Sequence, residues 1–515
     1  MIYRQCFHRD SPAGKGRGIA AILFAILIPC LTMPSCVKLF VEPKPELPNA
    51  APTTTLSNLP ATYDTLSPLV SLYWDGHDND GFVVAFQYQY TTYPMGKSAG
   101  DSVVHDWVTT DQHWGAITFS SPDPLNRQVF RVRSIDNSGN TDPTPAERVF
   151  YTLQTIAPVT RILSPTTGTE FYAVPQTNYW FPGVVVTISS QVPWSPNPAL
   201  QGSSIIQFAW SADNGALNWV PVEDSVVTIT PQNFKSPLTG THTIHVTSRS
   251  NTLMLDSVGA TITVKLVQPT FQKDIVILDD TQTDVSLRNV PKTSIDSFYV
   301  AIFGYGKPYT IDVRDLQTRA FPSRTILGSY KLAIWHHDDG NVPFYMGNDV
   351  AIKTIDDYLH VGGSLIICGT RSWEHWLPPA DPTYGLPHPF MFQPGSFIRD
   401  YLHIDAGDQS AFLGSFSGAT GVGGFSSVEV DTSKMNSGFP QYGKPGWVSV
   451  VAQKGPFTRE LLTFKDDDPH ATGLPCAIRY YGDTYNITWL GFPMWALKYN
   501  DARTLAQQIM QSMGF

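Results

Sequence analysis

Apolar and polar residues alternate in short runs through the first half of this chain and then give way to unbroken apolar stretches. From about Thr53 to Leu153 the alternating runs are Val70-Ser71-Leu72-Tyr73-Trp74, Val83 to Tyr90, and Val129-Phe130-Arg131-Val132-Arg133, each bounded by turn-forming residues. A period of two predicts half-buried strands, one face on a core and the other in water. Between Pro158 and Val267 the style returns in Gly183 to Ile188, Ile205 to Trp210, Val226 to Ile229 and Thr241 to Val246. Two β-sandwich domains are therefore expected, over residues 62–155 and 156–268. Phe208-Ala209-Trp210 loosely mirrors Leu72-Tyr73-Trp74, which suggests a degenerate internal repeat.

At Lys273 the pattern changes. Ile275-Val276-Ile277-Leu278, ending in Asp279-Asp280, reads as a strand buried on both faces. A helix around Ser294 to Phe303, strands at Tyr309 to Val313 and Leu332 to Trp335, a helix from about Asp349 to His360 and a strand from Ser364 to Cys368 follow. The run Ile487-Thr488-Trp489-Leu490-Gly491-Phe492-Pro493 and a helix from about Ala502 to Met513 close the chain. Strands alternating with helices imply a parallel sheet with crossover helices, so residues 269–515 are expected to form an α/β three-layer domain. Gly414 to Gly424 lacks the Lys-Ser/Thr ending of a phosphate loop and reads as a flexible surface loop.

The length of 515 residues agrees with several domains, since one domain takes about 100–200 residues. Lys plus Arg is 34 and Asp plus Glu is 44, a net charge of −10, with only 15% charged residues. That excludes a nucleic-acid binder driven by phosphate neutralisation, and the 42% hydrophobic content excludes long disorder. Arg4, Arg9, Lys15 and Arg17 precede an apolar stretch from Ile19 to Leu31 and then Thr32-Met33-Pro34-Ser35-Cys36. This is the order of a secretory signal, and its apolar part is too short to span a bilayer. Pro43, Pro45, Pro48, Pro52 and Pro60 make residues 37–61 an extended tether. Beyond it only Cys368 and Cys476 remain, too few for a disulfide scaffold, and whether they pair is open.

Residues 1–36 resemble a bacterial lipoprotein signal. The resemblance implies acylation of Cys36, a membrane partner reached through that lipid anchor, and, with Val37 following, an outer-membrane address. Cys30 after Leu27-Ile28-Pro29 is a second position for the anchor, and an ordinary cleaved signal is the other reading. The Trp74 strand with Asp75 to Gly81 behind it, and Asp136 to Asn140 before a closing strand at Arg148 to Thr152, resemble a fibronectin type III or immunoglobulin-like domain. In such a sandwich these loops share one end, so Asp78, Asp80, Asp136 and Asp142 could converge on Ca²⁺, which takes oxygen ligands. The same residues also suit turns. Tyr179, Trp180, Phe181, Trp194 and Trp219 are candidates either for a glycan-stacking platform or for core packing.

The later order, and especially Tyr358 to Ile367, resembles the class I glutamine-amidotransferase-like, flavodoxin-like fold. In the active family a cysteine sits on a glycine-flanked elbow between strand and helix, and a His-Pro-Glu sequence after a late strand supplies the base and its orienting carboxylate. Here Ile366-Ile367-Cys368-Gly369-Thr370 holds half the glycine pattern, and Gly491-Phe492-Pro493-Met494-Trp495 holds neither His nor Glu. A thiol without a base stays protonated, so the domain reads as catalytically degenerate. The strand ends still gather Asp279-Asp280, His336-His337-Asp338 and Cys368 with Arg371, a set suited to a transition metal or to acid–base work. His336 and His337 are adjacent, so at most one faces a given side.

The function expected is that of an exported, lipid-anchored surface protein with a binding or envelope-structural role toward a protein or glycan ligand. One alternative is a hydrolase or transferase with Cys368 as nucleophile or His336/His337 as base or ligand. The other is a carbohydrate-binding surface protein.

Overall fold

The computed structural model describes residues 48–57, 61–195, 203–282, 291–338, 343–376, 389–410, 416–435 and 444–515. The signal, Cys30, Cys36 and the first part of the tether lie outside the described residues.

The first alternating region forms β1 (Thr53–Ser57), β2 (Thr65–Leu66), β3 (Leu69–His77), β4 (Val83–Pro94), β5 (Val103–Thr110), β6 (Trp114–Thr118), β7 (Leu125–Asp136) and β8 (Ala146–Leu153). They build two sheets, β1-β3-β6 and β2-β8-β7-β4-β5. The inward positions of both sheets meet in one core of Leu72, Trp74, Phe86, Phe130 and Phe150. Trp74 lies against Phe130 at 6.0 Å between centroids, and its Nε1 donates to the Gln112 carbonyl at 2.8 Å, so the ring is buried with its polar end satisfied. The expected tether boundary at residue 61 is corrected here. Thr53–Ser57 pairs antiparallel with β3, Thr53 opposite His77 and Ser57 opposite Tyr73, because Thr54 and Leu56 alternate toward the core.

The second region forms β9 (Val159–Ser164), β10 (Thr169–Tyr172), β11 (Val184–Gln191), β12 (Ile205–Ala212), β13 (Asn218–Pro221), β14 (Val226–Ile229), β15 (Gly240–Ser250) and β16 (Ala260–Val267). Its sheets are β9-β11-β14 and β10-β16-β15-β12-β13, the connectivity of the first sandwich repeated strand for strand. Even the parallel pairing of β2 with β8 recurs as β10 with β16. The internal repeat therefore lies in the topology, but the sequence match that suggested it is out of step. Trp74 sits on β3, whose counterpart is β11, whereas Trp210 sits on β12, the counterpart of β4. An aromatic strand end followed by Asp, Asn and Gly marks any tight turn and does not identify which strand precedes it.

The third region contains β17 (Lys273–Asp279), α1 (Lys292–Phe303), β18 (Ile311–Asp315), α2 (Arg324–Leu327), β19 (Tyr330–His337), α3 (Asp349–His360), β20 (Ser364–Gly369) and α4 (Ser372–His375). There follow β21 (Phe390–Met391), α5 (Phe397–Leu402), β22 (Ile404–Gln409), β23 (Gly418–Gly421), β24 (Val428–Glu429), β25 (Ser449–Lys454), β26 (Arg459–Phe464), β27 (Pro475–Tyr481), β28 (Asn486–Leu490) and α6 (Tyr499–Ser512). One sheet has the order β18-β17-β19-β20-β28-β27-β26-β23-β24, and its first five strands are parallel. β27, β26, β23 and β24 continue it antiparallel, and β21-β22-β25 form a separate small sheet.

Helices cover both faces of the parallel part. Ile275 and Ile277 of β17 pack with Tyr299 and Ile302 of α1 and Leu505 and Ile509 of α6. Val276 and Leu278 pack on the other side with Leu327 of α2, Ile355 and Leu359 of α3 and Phe397 of α5. Burial on both faces is why these strands read as continuous apolar runs. α3 matches its expected bounds: Asn348 caps it by accepting from the Val350 and Ala351 amides, and each of Ile355 and Leu359 stabilises the layer by about 1.5–3 kcal/mol.

The expected loop at Gly414 to Gly424 is corrected in part. Gly418–Gly421 is a strand held between β24 and β26. A Cβ on Gly421 would lie 1.9 Å from the Phe425 carbonyl oxygen, so that glycine permits close backbone approach rather than flexibility. Residues 414 and 415 lie outside the described residues. No described helix is long and apolar enough to cross a membrane.

Candidate site at the strand ends

Because β17, β19 and β20 are parallel and in register, Asp279 lies opposite His336 and His336 opposite Cys368 at their carboxyl ends. All three are fully buried and face α1, where Tyr299 stacks on the His336 ring at 4.1 Å. Helix α1 adds Lys292, Asp296 and Tyr299, whose spacing of four and three places them on one helical face. Lys292 Nζ lies 3.0 Å from Asp279 Oδ2 and 2.6 Å from Asp315 Oδ1. Tyr299 Oη donates to Asp338 Oδ1 at 3.0 Å, lies 3.4 Å from Cys368 Sγ, and accepts from the Met494 amide at 3.2 Å.

His336 Nδ1 is 2.7 Å from Asp338 Oδ2 and 3.8 Å from Asp279 Oδ1, but the carboxylates stand out of line for an N–H bond. Among the described residues His336 Nε2 and Asp296 Oδ1 have no hydrogen-bond partner, while His336 Nδ1 and Asp279 Oδ2 meet only their ion-pair partners Asp338 and Lys292. One donor atom each from Asp279, Asp296 and His336 falls within a 4.8 Å cluster.

The electrostatics follow from this crowding. Burial disfavours the His336 cation, yet the negative charges of Asp338 and Asp279 outweigh it and push the imidazole up to about 9. Burial likewise opposes the Asp279 carboxylate, but His336 and Lys292 hold it below the usual range. Asp296, buried beside the charged Asp279, is pushed up to about 7. Such a group of oxygens and an imidazole can hold a cation or a proton.

Thiol chemistry is another matter. Cys368 lies inside β20, not at an elbow, and burial followed by the Asp338 charge raises its thiol well above the ordinary range. The left-handed residue between β20 and α4 is Arg371, with φ of 53°, after Gly369, where a Cβ would lie 2.2 Å from the His337 carbonyl oxygen. Arg371 Nε donates to Glu374 Oε2 at 2.7 Å, and its guanidinium lies 4.7 Å over the Trp447 ring. The expected nearness of Cys368 to the turn is thus corrected by three residues, and the turn itself carries a paired arginine. Cys368 and Cys476 are both buried free thiols.

Asp280 and His337 point to the opposite face, as the alternation requires. His337 Nδ1 sits 3.0 Å from the Asp280 carbonyl oxygen, and its ring meets His375 edge-on at 5.0 Å. The Asp280 carboxylate accepts from the Phe344, Tyr345 and Met346 amides and from Trp335 Nε1.

The structure does not assemble Asp78, Asp80, Asp136 and Asp142 into a Ca²⁺ cluster, although their loops do meet through Asn137, whose Oδ1 accepts from the Phe82 amide at 2.9 Å. The entering chain takes two of the carboxylates: the Ala50 amide donates to Asp80 at 2.9 Å and Asn49 Nδ2 to Asp136 at 2.6 Å. Asp136 also caps the Ser138 and Asn140 amides, and Asp142 caps Thr144. Asp78 Oδ1 accepts from the Asp80 amide at 3.4 Å, so the four acids serve turns and the entering chain.

The five aromatics form no single platform. Tyr179 and Trp194 are exposed, Phe181 is buried, Trp219 lies 4.2 Å beneath Arg249, and Trp180 stacks on His360 of α3 at 4.9 Å. Trp180 and Phe181 do line, with Tyr172, Arg324, Lys353 and Asp357, a cleft of about 550 Å³ between the second sandwich and the third region. That junction is held by Glu170, which accepts from the Thr325 amide at 2.7 Å, and by Tyr172 Oη donating to the Arg324 carbonyl at 2.9 Å.

Sequence reasoning missed Lys292, Asp296 and Tyr299. The available signal was their helical spacing in the first segment after the strand ending in Asp279-Asp280.

No protein-family model matches the sequence, and no curated protein matches it. Solved structures similar to parts of the chain include the fibronectin(III)-like modules of Clostridium thermocellum CbhA (10% identity, 42% of this chain and 95% of that one, TM-score 0.22). The FN1–FN3 domains of chicken CNTN1 match at 14% identity, 42% and 67% coverage and TM-score 0.18. A bacterial ice-binding adhesin matches at 10% identity, 45% and 73% coverage and TM-score 0.15. The two-sheet architecture described above rests on the strand pairing and the cores of the chain itself.

Proposed function

We propose that this is an exported, lipid-anchored surface protein whose two sandwiches carry a catalytically degenerate amidotransferase-like domain used for binding or envelope structure. The observation that carries the reading is the turn after β20: a paired arginine, Arg371, stands at the turn that the active family gives to its nucleophile, and the neighbouring thiol is sealed. The strand order β18-β17-β19-β20-β28 is second-first-third-fourth-fifth in chain order, the flavodoxin-like order, which supports the assignment of the domain. The secretory and lipoprotein-like residues 1–36 support export and anchoring through Cys36.

Two measurements test it. In cells fed an alkyne-tagged fatty acid, the full chain should take up label and Cys36→Ser should lose it. Label retained there but lost in Cys30→Ser moves the anchor, and label absent from every form removes it. Alkylation of the folded protein should spare Cys368 until denaturant is added, whereas rapid modification in the native state would return thiol chemistry.

The carbohydrate-binding reading is favoured by one observation. Trp180 and Phe181 line the interdomain cleft beside the Arg324–Asp357 ion pair, an apolar face with polar neighbours of the kind that holds a sugar ring.

A further inference from the structure

We propose that Asp279, Asp296 and His336 are the protein ligands of a divalent transition-metal ion of the Zn²⁺, Co²⁺ or Mn²⁺ kind. Their donor atoms lie within 4.8 Å of one another, drawn from two adjacent parallel strands and the helix facing them. His336 is completely buried; its Nδ1 faces Asp338, and its Nε2 has no partner among the described residues. A buried polar atom without a partner costs about 1–3 kcal/mol, so a fully buried imidazole whose Nε2 has no partner among the described residues, beside an Asp296 Oδ1 that has none, marks a place built for something else. Among the described residues four carboxylates, Asp279, Asp296, Asp315 and Asp338, gather around one ammonium, Lys292, and one imidazole, His336. With the ligating imidazole neutral, four carboxylates and one ammonium leave a net charge of −3, which a dication lowers to −1.

The donor set selects the class of ion. Ca²⁺ and Mg²⁺ favour sites made wholly of oxygen, whereas imidazole mixed with carboxylate suits first-row transition metals. A soft ion would favour a thiolate, and Cys368 is not among the three clustered donors but lies 3.4 Å from Tyr299 Oη. The surroundings also supply outer support. Asp338 stands 2.7 Å from His336 Nδ1, Tyr299 holds Asp338 from behind, and Lys292 ties Asp279 to Asp315. Carboxylates placed next to a ligating histidine set its orientation and basicity. Three protein donors leave a position open for water or an anionic ligand, and Asp296 is the least buried of the three.

The test uses the full chain in detergent, stripped with a chelator and titrated with Co²⁺ alone. Binding is read by visible d–d absorption and by competition with a chromophoric chelator. One ion per chain is expected, with a rise in melting temperature on loading. Asp296→Asn and His336→Gln should each weaken binding by at least about tenfold, while Asp78→Asn in the first sandwich should leave it unchanged. Should His336→Gln fail to fold, the isosteric change at half-buried Asp296 decides. No bound Co²⁺ in the wild type, undiminished binding in folded Asp296→Asn, or displacement of Co²⁺ by an equal concentration of Mg²⁺ would each overturn the assignment.

Discussion

Asp280 is the acid on which residues 344–346 are fastened beside the strand ends. Its Oδ1 accepts from the Phe344 amide at 2.7 Å and the Tyr345 amide at 3.1 Å, and its Oδ2 from the Met346 amide at 2.7 Å and Trp335 Nε1 at 3.2 Å. Asp280→Asn keeps the shape but leaves one acceptor oxygen. Asparagine settles with its oxygen in the Oδ2 position, where it still accepts from Tyr345, Met346 and Trp335, and its amide N–H groups face the Phe344 donor. One donor without an acceptor costs about 1–3 kcal/mol, so the change should destabilise by about 1–3 kcal/mol. The lower part of that range is expected, because burial pushes the Asp280 carboxyl up and the neutral amide escapes that desolvation. At about 2–4 °C per kcal/mol for a domain of this size, the third region should melt about 2–8 °C lower. Near-UV circular dichroism and calorimetry of the full chain read the shift, with the two sandwiches as internal reference. A third-region melting temperature within about 1 °C of wild type would refute the account of Asp280 as a multiple acceptor.

Two further outcomes follow from the described contacts. Burial works against the Asp213 carboxylate, but His242 Nδ1 at 2.8 Å and the Thr243 and Lys235 amides hold it below the ordinary range. Its stabilising contribution is therefore complete above the unfolded carboxyl value near pH 4 and is lost as pH falls through the lower folded value. Melting of the full chain from about pH 6 to 2 should show a shallower acid limb for the second sandwich in Asp213→Asn; an equally steep limb counts against the linkage. Gly421→Ala should destabilise the sheet by at least about 1 kcal/mol, since the added Cβ collides with the Phe425 carbonyl, and a denaturant midpoint equal to wild type would contradict the strand pairing there.

Much of the third region was readable because its signals are short in range. The β17 run Ile275 to Leu278 announces burial on both faces, and α3 carries its own cap and apolar stripe, so each needed only residues within a few positions. The candidate site was half readable: Asp279, His336 and Cys368 could be placed at strand ends, but their partners on α1 could not. Asp296 lies in an ordinary-looking helix, and its meaning comes from standing against Asp279, which depends on how helix and sheet pack.

The chain alone thus determined the three-part architecture, the opposite facing of His336 and His337, and the absence of a His or Glu after the late strand. These rest on period and residue type, which are local properties. Only the tertiary structure decided that Thr53–Ser57 joins the first sandwich and that its four aspartates serve turns and the entering chain. It alone decided that Arg371 takes the turn after β20 while Cys368 is sealed, and that Asp296 and Lys292 close on Asp279. Each of these depends on which distant segment arrives beside a residue, and that is set by the packing of whole layers, to which nearest neighbours in sequence are indifferent.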